Sequence, residues 1–273
     1  MYPVTAARCP LVIAHRGGGG EAPENSERAF EALRSLGIRH IETDAHVSAD
    51  GVVVVNHDAS VDRTFHAQGM IHDYAWNDLK RMEGISGQRM LALSEALEAF
   101  PDMYFNIDAK SDAVVDPLLE VIATHRAFHR VLIASFSEKR LMKVRALCPQ
   151  VTTSLGTAAV VRLLAAAHTH SDAAAWGVPG PKRGVRAVQV PEYQGPIRVV
   201  DRRFVAAAHR AGLAVHVWTV NDEADMHHLL DIGVDGLVTD RPTLARQVLM
   251  ERQVWRELPP PGHVHAPSRR PRD

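Results

Sequence analysis

The first sixty residues contain five side chains whose types suit chemistry on a phosphate group. His15 and Arg16 follow one apolar run, and His57 ends another. Between them, Glu42 and Asp44 are separated by a single residue. A histidine exchanges a proton near neutral pH, an arginine binds a phosphate through two parallel hydrogen bonds, and carboxylates bind a divalent cation. Together these residue types predict acid–base cleavage of a phosphate ester.

Length, composition and charge indicate one globular domain. The chain has 273 residues, of which 46% are hydrophobic and 23% are charged, and its formal net charge is −1. A closed α/β barrel typically needs about 250 residues, so the length suits one such domain. The near-neutral charge argues against a nucleic-acid partner and against stable association with an anionic membrane.

The cysteines and the two ends of the sequence predict a reduced, cytoplasmic protein. Cys9 and Cys148 are too few for a disulfide framework and lack the spacing of metal ligands. The first residues show no basic segment followed by a long apolar run, and no window approaches the roughly 18 apolar residues of a membrane span. Residues 258–273 are rich in proline, arginine and histidine without periodicity, which predicts a disordered tail.

Predicted strands and helices alternate along the chain. Nine short apolar runs have the character of strands: 11–14, 38–47, 52–56, 103–107, 131–135, 151–155, 187–190, 214–217 and 236–239. Seven segments have the apolar spacing of helices: 26–36, 93–100, 113–125, 138–147, 201–211, 223–231 and 243–249. Continuous apolar strands between helices indicate a parallel sheet that is covered by helices.

A short connection explains why there are nine predicted strands and not eight. Only residues 48–51 separate the strand of Glu42 and Asp44 from the strand that leads to His57, and this is too short for a parallel crossover. The two strands must therefore form a hairpin around an Asp-Gly turn. A turn centred just before Asp50 would pair His57 with Glu42, and one centred just after it would pair His57 with Asp44.

Without the return strand of this hairpin, eight strands remain in βα order. We therefore expect a (β/α)8 TIM-type barrel that forms a single domain over residues 10–250. Residues 59–90 have mixed polarity and fit the repeat poorly, which predicts a small insertion after the hairpin. Residues 171–186 are rich in glycine and proline, which predicts a mobile loop.

Active sites of such barrels lie at the carboxyl ends of the strands. The third barrel strand ends with Asp108 and Lys110, which alternation places on one side, as it does Glu42 and Asp44. The three carboxylates and a phosphodiester would carry four negative charges, which a divalent cation, Arg16 and Lys110 would balance. We infer an oxygen-ligated hard cation, Mg²⁺ or Ca²⁺.

Six short motifs follow one another in an order that is specific when they are taken together. They are His-Arg-Gly at 15–17, Ala-Pro-Glu-Asn-Ser at 22–26, Ile-Glu-Thr-Asp at 41–44, Asp-Gly at 50–51 leading to His-Asp at 57–58, Leu-Ser-Glu-Ala-Leu at 93–97, and Val-Trp-Thr-Val-Asn at 217–221. The motifs and their order resemble the glycerophosphodiester phosphodiesterase family over nearly all of residues 10–250. Ser26 stands where that family usually has threonine, and Asp108 where it commonly has glutamate.

The resemblance implies a metal-dependent barrel enzyme that hydrolyses a small-molecule glycerophosphodiester to glycerol 3-phosphate and an alcohol. It assigns the catalytic role to His15 and His57. The metal ligands would be Glu42, Asp44 and Asp108. The phosphate would be bound by Arg16 and Lys110. We assign His15 as the base and His57 as the acid, and the nucleophile is water or the 2-hydroxyl of the glycerol.

Other side chains have two possible roles each. Trp218 ends a strand, where it either packs in the core or forms a substrate wall that stacks on a choline head group. Gln189 is a possible substrate contact at another strand end. Asn25 either caps the first helix, as Ser26 also could, or projects into the site. Asp58 either orients His57 or has a structural role.

Two alternative functions remain at this point. Related barrels act as phospholipase D-type enzymes on lysophospholipids or sphingomyelin, which requires an apolar lip for acyl chains. The loop 171–186 contains only Trp176 as a large apolar residue, so we favour a small soluble substrate. A non-catalytic binding protein on the same barrel would have lost a histidine or an acid, yet all of these residues are present.

Overall fold

Eight parallel strands form a closed barrel in this computed structural model, which describes residues 2–5 and 9–262. The strands β1 to β8 are Leu11–Ala14, His40–Val47, Tyr104–Ala109, Val131–Ala134, Thr152–Ser154, Val185–Pro191, Ala214–Trp218 and Gly236–Thr239. Each pairs with the next in chain order, and β1 pairs with both β2 and β8, which closes the sheet. The predicted (β/α)8 TIM-type fold is therefore confirmed.

Eight helices follow these strands and cover the barrel. The helices α1 to α8 are Glu27–Ser35, Leu93–Ala99, Val115–Thr124, Glu138–Leu147, Thr157–His168, Arg202–Arg210, Glu223–Ile232 and Pro242–Glu251. In the part of the chain that the structure describes, no helix combines the length and the apolar composition that a membrane span requires.

The sequence pattern predicts seven helices but not α5, which the structure contains. Its residues Ala159 and Leu163 are buried against the barrel, whereas Val160, Val161 and Leu164 line a cavity at the barrel mouth. Because this helix has apolar residues on two of its sides, it lacks the contrast between apolar and polar faces that reveals an amphipathic helix.

The hairpin that follows β2 has neither of the two predicted registers. The antiparallel strand Val53–Val55 pairs with the end of β2, with its last residue opposite Ala45, and residues 49–51 form a three-residue loop. Gly51 adopts the left-handed backbone conformation, with φ at 86°, that such a loop needs at its last position.

The position of His57 changes as a consequence. Its predicted pairings with Glu42 and with Asp44 are both wrong, because the three-residue loop shifts the register by one residue from either. The ladder ends where the Asn56 N–H donates to the Asp44 carbonyl at 3.1 Å. His57 follows in a bend, beyond the last paired residue of the strand.

Residues 59–90 form the predicted insertion after this hairpin. They contain a four-residue helix, Trp76–Leu79, and the chain rejoins the sheet through Leu91–Ala92, which pairs with the hairpin strand. The insertion packs around an apolar cluster separate from the main core, formed by Val54, Val61, Phe65, Ile71, Leu79 and Met90. The insertion therefore has a small apolar core in addition to the main core of the barrel.

Three further segments lie outside the regular strands and helices of the barrel. The predicted loop 171–186 contains two short 3-10 turns, Ala173–Trp176 and Pro181–Arg183, and its mobility stays a prediction. After β6 the chain forms a small hairpin of Tyr193–Gln194 and Ile197–Arg198. The predicted disordered tail lies outside the described residues from 263 onwards.

Residues 2–5 fill the amino-terminal end of the barrel. The ring of Tyr2 packs edge-on against His40 and Tyr104, with centroids 5.2 Å and 5.8 Å away. His40 and His216 each contact a backbone carbonyl of this segment through Nε2. Burial lowers the pKa of both histidines, that of His40 to about 3, so both remain neutral. The barrel is therefore closed by uncharged aromatic packing at this end.

Candidate active site

The carboxyl ends of the barrel strands surround a cavity of about 660 Å³. All but one of the predicted site residues line it: His15, Arg16, Glu42, Asp44, His57, Asp108, Lys110, Gln189 and Trp218. The exception is Asn25. The fold thus places in one cavity side chains that are as far as 203 residues apart in the sequence, from His15 to Trp218.

Asp240 orients His15, and the sequence analysis did not identify it. His15 begins a short turn directly after β1, and its Nδ1 lies 2.7 Å from Asp240 Oδ1. The second carboxylate oxygen of Asp240 accepts a hydrogen bond of 2.7 Å from the side-chain amide of Asn221. Asp240 directly follows β8, so the strand-end rule that identified the other residues also applies to it.

The electrostatic surroundings of His15 favour its protonated form. Its Nε2 lies 4.0 Å from Glu42 Oε2. Burial alone would lower the pKa of His15, but the hydrogen bond to Asp240 and the nearby charge of Glu42 outweigh burial and raise this pKa. Because Nδ1 is engaged by Asp240, Nε2 is the nitrogen that remains for proton transfer.

Three buried carboxylates lie at the ends of β2 and β3. Glu42 accepts a hydrogen bond of 3.0 Å from the backbone N–H of Arg16. Burial and the charge of Asp44 raise the pKa of Glu42 to about 8. Asp108 lies opposite Asp44 in the strand register. Three carboxylates at such close quarters require cationic partners to stay ionised.

Lys110 supplies part of that positive charge. Its Nζ lies 2.7 Å from Asp44 Oδ1 and 2.9 Å from Asp108 Oδ2. Burial would lower the pKa of Lys110, but the two carboxylates raise it to about 12. The other oxygen of Asp108, Oδ1, is buried and has no hydrogen-bond partner in the described part of the chain. This orphaned oxygen, in an all-carboxylate donor set, fits the ligand preference of Mg²⁺ or Ca²⁺.

His57 is held in the same way as His15. Its Nδ1 lies 2.7 Å from Asp58 Oδ1, so Asp58 orients the ring. The alternation that would point neighbouring side chains to opposite faces does not apply here, because the strand ends two residues earlier. Both predicted catalytic histidines thus present Nε2 as their free ring nitrogen.

Arg16 contacts two carboxylates, Asp44 and Glu24, of which Glu24 was not among the predicted site residues. Its Nε is 4.0 Å from Asp44 Oδ2, and its Nη1 lies 3.3 Å and 3.4 Å from the two oxygens of Glu24. Burial would raise the pKa of Glu24, but hydrogen bonds and nearby arginines lower it, so its carboxylate is charged.

Asn25 is not among the residues that line the cavity, and its contact with a substrate stays a prediction. Its side-chain amide donates to Asp44 Oδ2 at 3.3 Å, and its oxygen accepts from the Thr43 hydroxyl at 2.7 Å. The helix cap is Ser26, whose hydroxyl accepts from the Ala29 N–H. Asn25 therefore orients a carboxylate from behind.

The opposite side of the cavity is apolar. Trp218 packs edge-on against Phe136, with ring centroids 5.9 Å apart, and Gln189 contacts His216. Further apolar lining residues come from α5 and the hairpin after β6: Val160, Val161, Leu164, Ile197 and Val199. Trp176, the large apolar residue that the sequence analysis noted in the loop 171–186, is not among the lining residues. The contacts of Trp218 and Gln189 with a substrate stay predictions.

A second cluster with metal-ligating side chains lies on the outer helices. Candidate ligand atoms of Glu223, His227 and Glu251 lie within 4.8 Å of one another on α7 and α8. None of these residues lines the cavity, and Arg252 already contacts His227 at Nδ1. This surface cluster is therefore separate from the predicted carboxylate site.

We predict that Asp240→Asn lowers the pKa of His15. The variant removes the charge and the strong acceptor that favour the protonated ring, while burial, which opposes protonation, remains. An NMR titration of the His15 ring protons measures the shift. Asp235→Asn is the matched control, because Asp235 contacts His209 at 2.7 Å on another part of the surface. An unchanged His15 titration in Asp240→Asn would contradict this account of the ring.

Comparison with known proteins gives a consistent result. Residues 15–244 match the model of the glycerophosphoryl diester phosphodiesterase family. The "Probable glycerophosphodiester phosphodiesterase 2" of Mycobacterium tuberculosis is 38% identical over 247 residues, which cover 90% of this chain and 92% of that protein. A glycerophosphodiester phosphodiesterase of Bacillus subtilis is 30% identical over 267 residues, covering 87% and 86%.

Solved structures share the fold. A phosphodiesterase from Oleispira antarctica, in complex with the product sn-glycerol-3-phosphate, has a TM-score of 0.74 at 24% identity, covering 89% of this chain and 97% of that one. With the family model matching most of the sequence, the chain belongs to the glycerophosphoryl diester phosphodiesterase family.

Proposed function

We propose that this protein hydrolyses glycerophosphodiesters to glycerol 3-phosphate and an alcohol, with His15 and His57 transferring protons. The observation that carries the proposal is the pair of oriented histidines in the cavity that contains the three carboxylates. Each ring is held at Nδ1 by an aspartate, which leaves Nε2 available. The relatives' names and the product complex of a structural neighbour support the same reaction.

The two histidines differ in ways that suit different steps. The His15 side chain is 19% exposed and so more shielded from solvent than His57, and Asp240 stabilises its ring once it has accepted a proton, as a base requires. The His57 side chain is 33% exposed, so it lies nearer to the solvent into which the alcohol departs. We therefore assign His15 as the base that acts on water or the 2-hydroxyl of the glycerol, and His57 as the acid that protonates the leaving oxygen.

The remaining charged residues bind and neutralise the phosphodiester. Arg16 and Lys110 carry the positive charges nearest to the carboxylates and provide N–H donors for phosphoryl oxygens. Glu42, Asp44 and Asp108 would hold one divalent cation, Mg²⁺ or Ca²⁺. Such an ion, when bound, would supply Lewis-acid stabilisation of the negative charge on the phosphoryl oxygens.

Chelation tests the metal requirement. We expect EDTA to abolish choline release from glycerophosphocholine, and added Mg²⁺ or Ca²⁺ to restore it. Asp108→Asn should require a higher metal concentration for half-maximal activity, because it removes one charged ligand. Asp116→Asn is the matched control, since the exposed Asp116 pairs with Lys143 on the surface. Choline release that continues unchanged in EDTA would exclude the metal proposal.

The leaving group distinguishes the acid from the base. With glycerophosphocholine, His15→Ala and His57→Ala should each lower kcat by about 10²–10⁴-fold. With a glycerol phosphodiester of 4-nitrophenol, whose leaving group needs no proton, His57→Ala should approach wild-type turnover while His15→Ala stays impaired. The exposed His72 provides the matched control, His72→Ala. Equal losses of both variants on both substrates would rule out this assignment.

The apolar side of the cavity favours a second candidate function, lysophospholipase D or sphingomyelinase D-type activity. Phe136, Val161 and Ile197 line the cavity and are 62%, 60% and 57% exposed. A glycerol or choline group is too small and polar to cover these surfaces, whereas an acyl chain would remove them from water. Such burial stabilises a complex by about 25 cal/mol per Å² of apolar area. These residues, which lie outside the loop 171–186, would form the apolar lip that a lipid substrate requires.

A polar substitution on this side tests the lipid activity. We expect Val161→Gln to raise KM for lysophosphatidylcholine by about tenfold and to leave glycerophosphocholine turnover unchanged, since burial of a valine-sized surface is worth about 1.5 kcal/mol. The choline release assay serves both substrates. An absence of lysophosphatidylcholine turnover by the wild type would reject the second candidate and leave the first intact.

A further inference from the structure

One side chain of the insertion contacts two carboxylates, each of which bonds a residue of the candidate site. Arg63 lies in residues 59–90, outside the barrel, and belongs to none of the family motifs identified in the sequence. Its Nε donates to Asp58 Oδ2 at 2.5 Å. Its two terminal nitrogens donate to the two oxygens of Glu24 at 2.8 Å and 2.7 Å. The planar guanidinium thus joins two carboxylates that come from different parts of the chain.

Each of these carboxylates has a second partner that lines the cavity. Asp58 bonds the Nδ1 of His57 through its other oxygen, at 2.7 Å. Glu24 contacts Arg16 Nη1 at 3.3 Å and 3.4 Å. A continuous series of contacts therefore runs from His57 through Asp58, Arg63 and Glu24 to Arg16.

The backbone that carries Arg63 is fixed by the core of the insertion. Val61 and Phe65 flank it, are buried, and are joined by a backbone hydrogen bond of 2.9 Å. The adjacent Thr64 hydroxyl donates to the side chain of Asn56 at 3.3 Å. Because Asn56 directly precedes His57, the insertion sets the position of Arg63 relative to the histidine.

The distances indicate what Arg63 does to Glu24. Its contacts with Glu24 are short and bidentate, whereas the contacts of Arg16 with the same carboxylate are long. Glu24 is therefore satisfied mainly by Arg63, and the guanidinium of Arg16 keeps donors for a phosphate. Without Arg63, Arg16 would be the nearest cation to Glu24 among the described residues and would be drawn towards it.

We propose that Arg63 is a positioning residue: through Asp58 it fixes the ring of His57, and by binding Glu24 it keeps Arg16 available for the phosphate. This inference rests on the proposed phosphodiesterase function. It assigns a role to the insertion, which supplies the cation that links the proton-transfer group to the phosphate-binding group.

The first test is Arg63→Met. We expect kcat for glycerophosphocholine to fall by about 10- to 100-fold, as for other residues that orient a site residue, and KM to rise. Arg89→Met is the matched control, because Arg89 lies in the same insertion and pairs with Glu27 and Glu95 outside the site. Arg63→Lys keeps the charge without the fork and should give an intermediate loss.

A double variant separates positioning from general damage to the fold. In Arg63→Met with Glu24→Gln, Arg16 is no longer drawn to a charged neighbour, so KM should return to the value of Glu24→Gln alone. The kcat should stay low, because Asp58 is still unanchored. A purely structural role of Arg63 would leave KM unrescued, and that outcome would overturn the proposal.

A measurement without turnover keeps the two proposals distinguishable. The NMR signal of the His57 Nδ1 proton should be present in wild type and Arg89→Met, and lost or exchange-broadened in Arg63→Met. If the wild type cleaves no glycerophosphodiester, the proposed function fails while this signal still tests the positioning. If Arg63→Met matches Arg89→Met in kcat, KM and this signal, the inference is wrong.

Discussion

The burial of three carboxylates at adjacent strand ends is the constraint on which the rest of the site depends. Like charges removed from water are costly unless each has a partner, and leaving one unpaired costs several kcal/mol. The surrounding residues offset this cost by pairing with the carboxylates. Lys110 bridges Asp44 and Asp108, Asn25 donates to Asp44, and the Arg16 backbone donates to Glu42. These contacts do not satisfy the three carboxylates completely: Asp108 Oδ1 has no hydrogen-bond partner among the described residues, and the pKa of Glu42 is raised.

The barrel separates this charged layer from an uncharged one below it. Along β3, alternation directs Tyr104, Asn106 and Asp108 to the same side. Tyr104 packs against Tyr2 at the amino end, whereas Asn106 and Asp108 line the cavity. Aromatic packing below the carboxylates excludes water from one side of them and strengthens each ionic contact above. Access to the site is therefore from the carboxyl ends of the strands.

Local sequence patterns predict most of this arrangement, and the exceptions have physical causes. Strand alternation correctly placed Glu42 with Asp44, because that rule needs only the strand itself, and Lys110 contacts Asp108 although it lies one residue beyond β3. The hairpin register failed because residues 48–51 suit loops of two or three residues equally, and loop length alone sets the pairing. No local sequence pattern predicts which part of the barrel an insertion contacts. The contacts of Arg63 with Glu24 and Asp58 are therefore visible only in the structure.

The ring of strands divides the site into a charged half and an apolar half. The charged and titratable residues come from or follow β8, β1, β2 and β3, which are neighbours in the barrel. The apolar residues Phe136, Val161, Ile197 and Trp218 belong to β4 through β7 or to the segments that follow them. A substrate with its phosphate among the charged groups must therefore direct one of its substituents across the apolar half. Since the two halves share no strand, substitutions on the apolar half can change which substituent is accepted without disturbing the buried carboxylates. The fold thereby separates the groups that we propose to transfer protons from those that we propose to select the substrate.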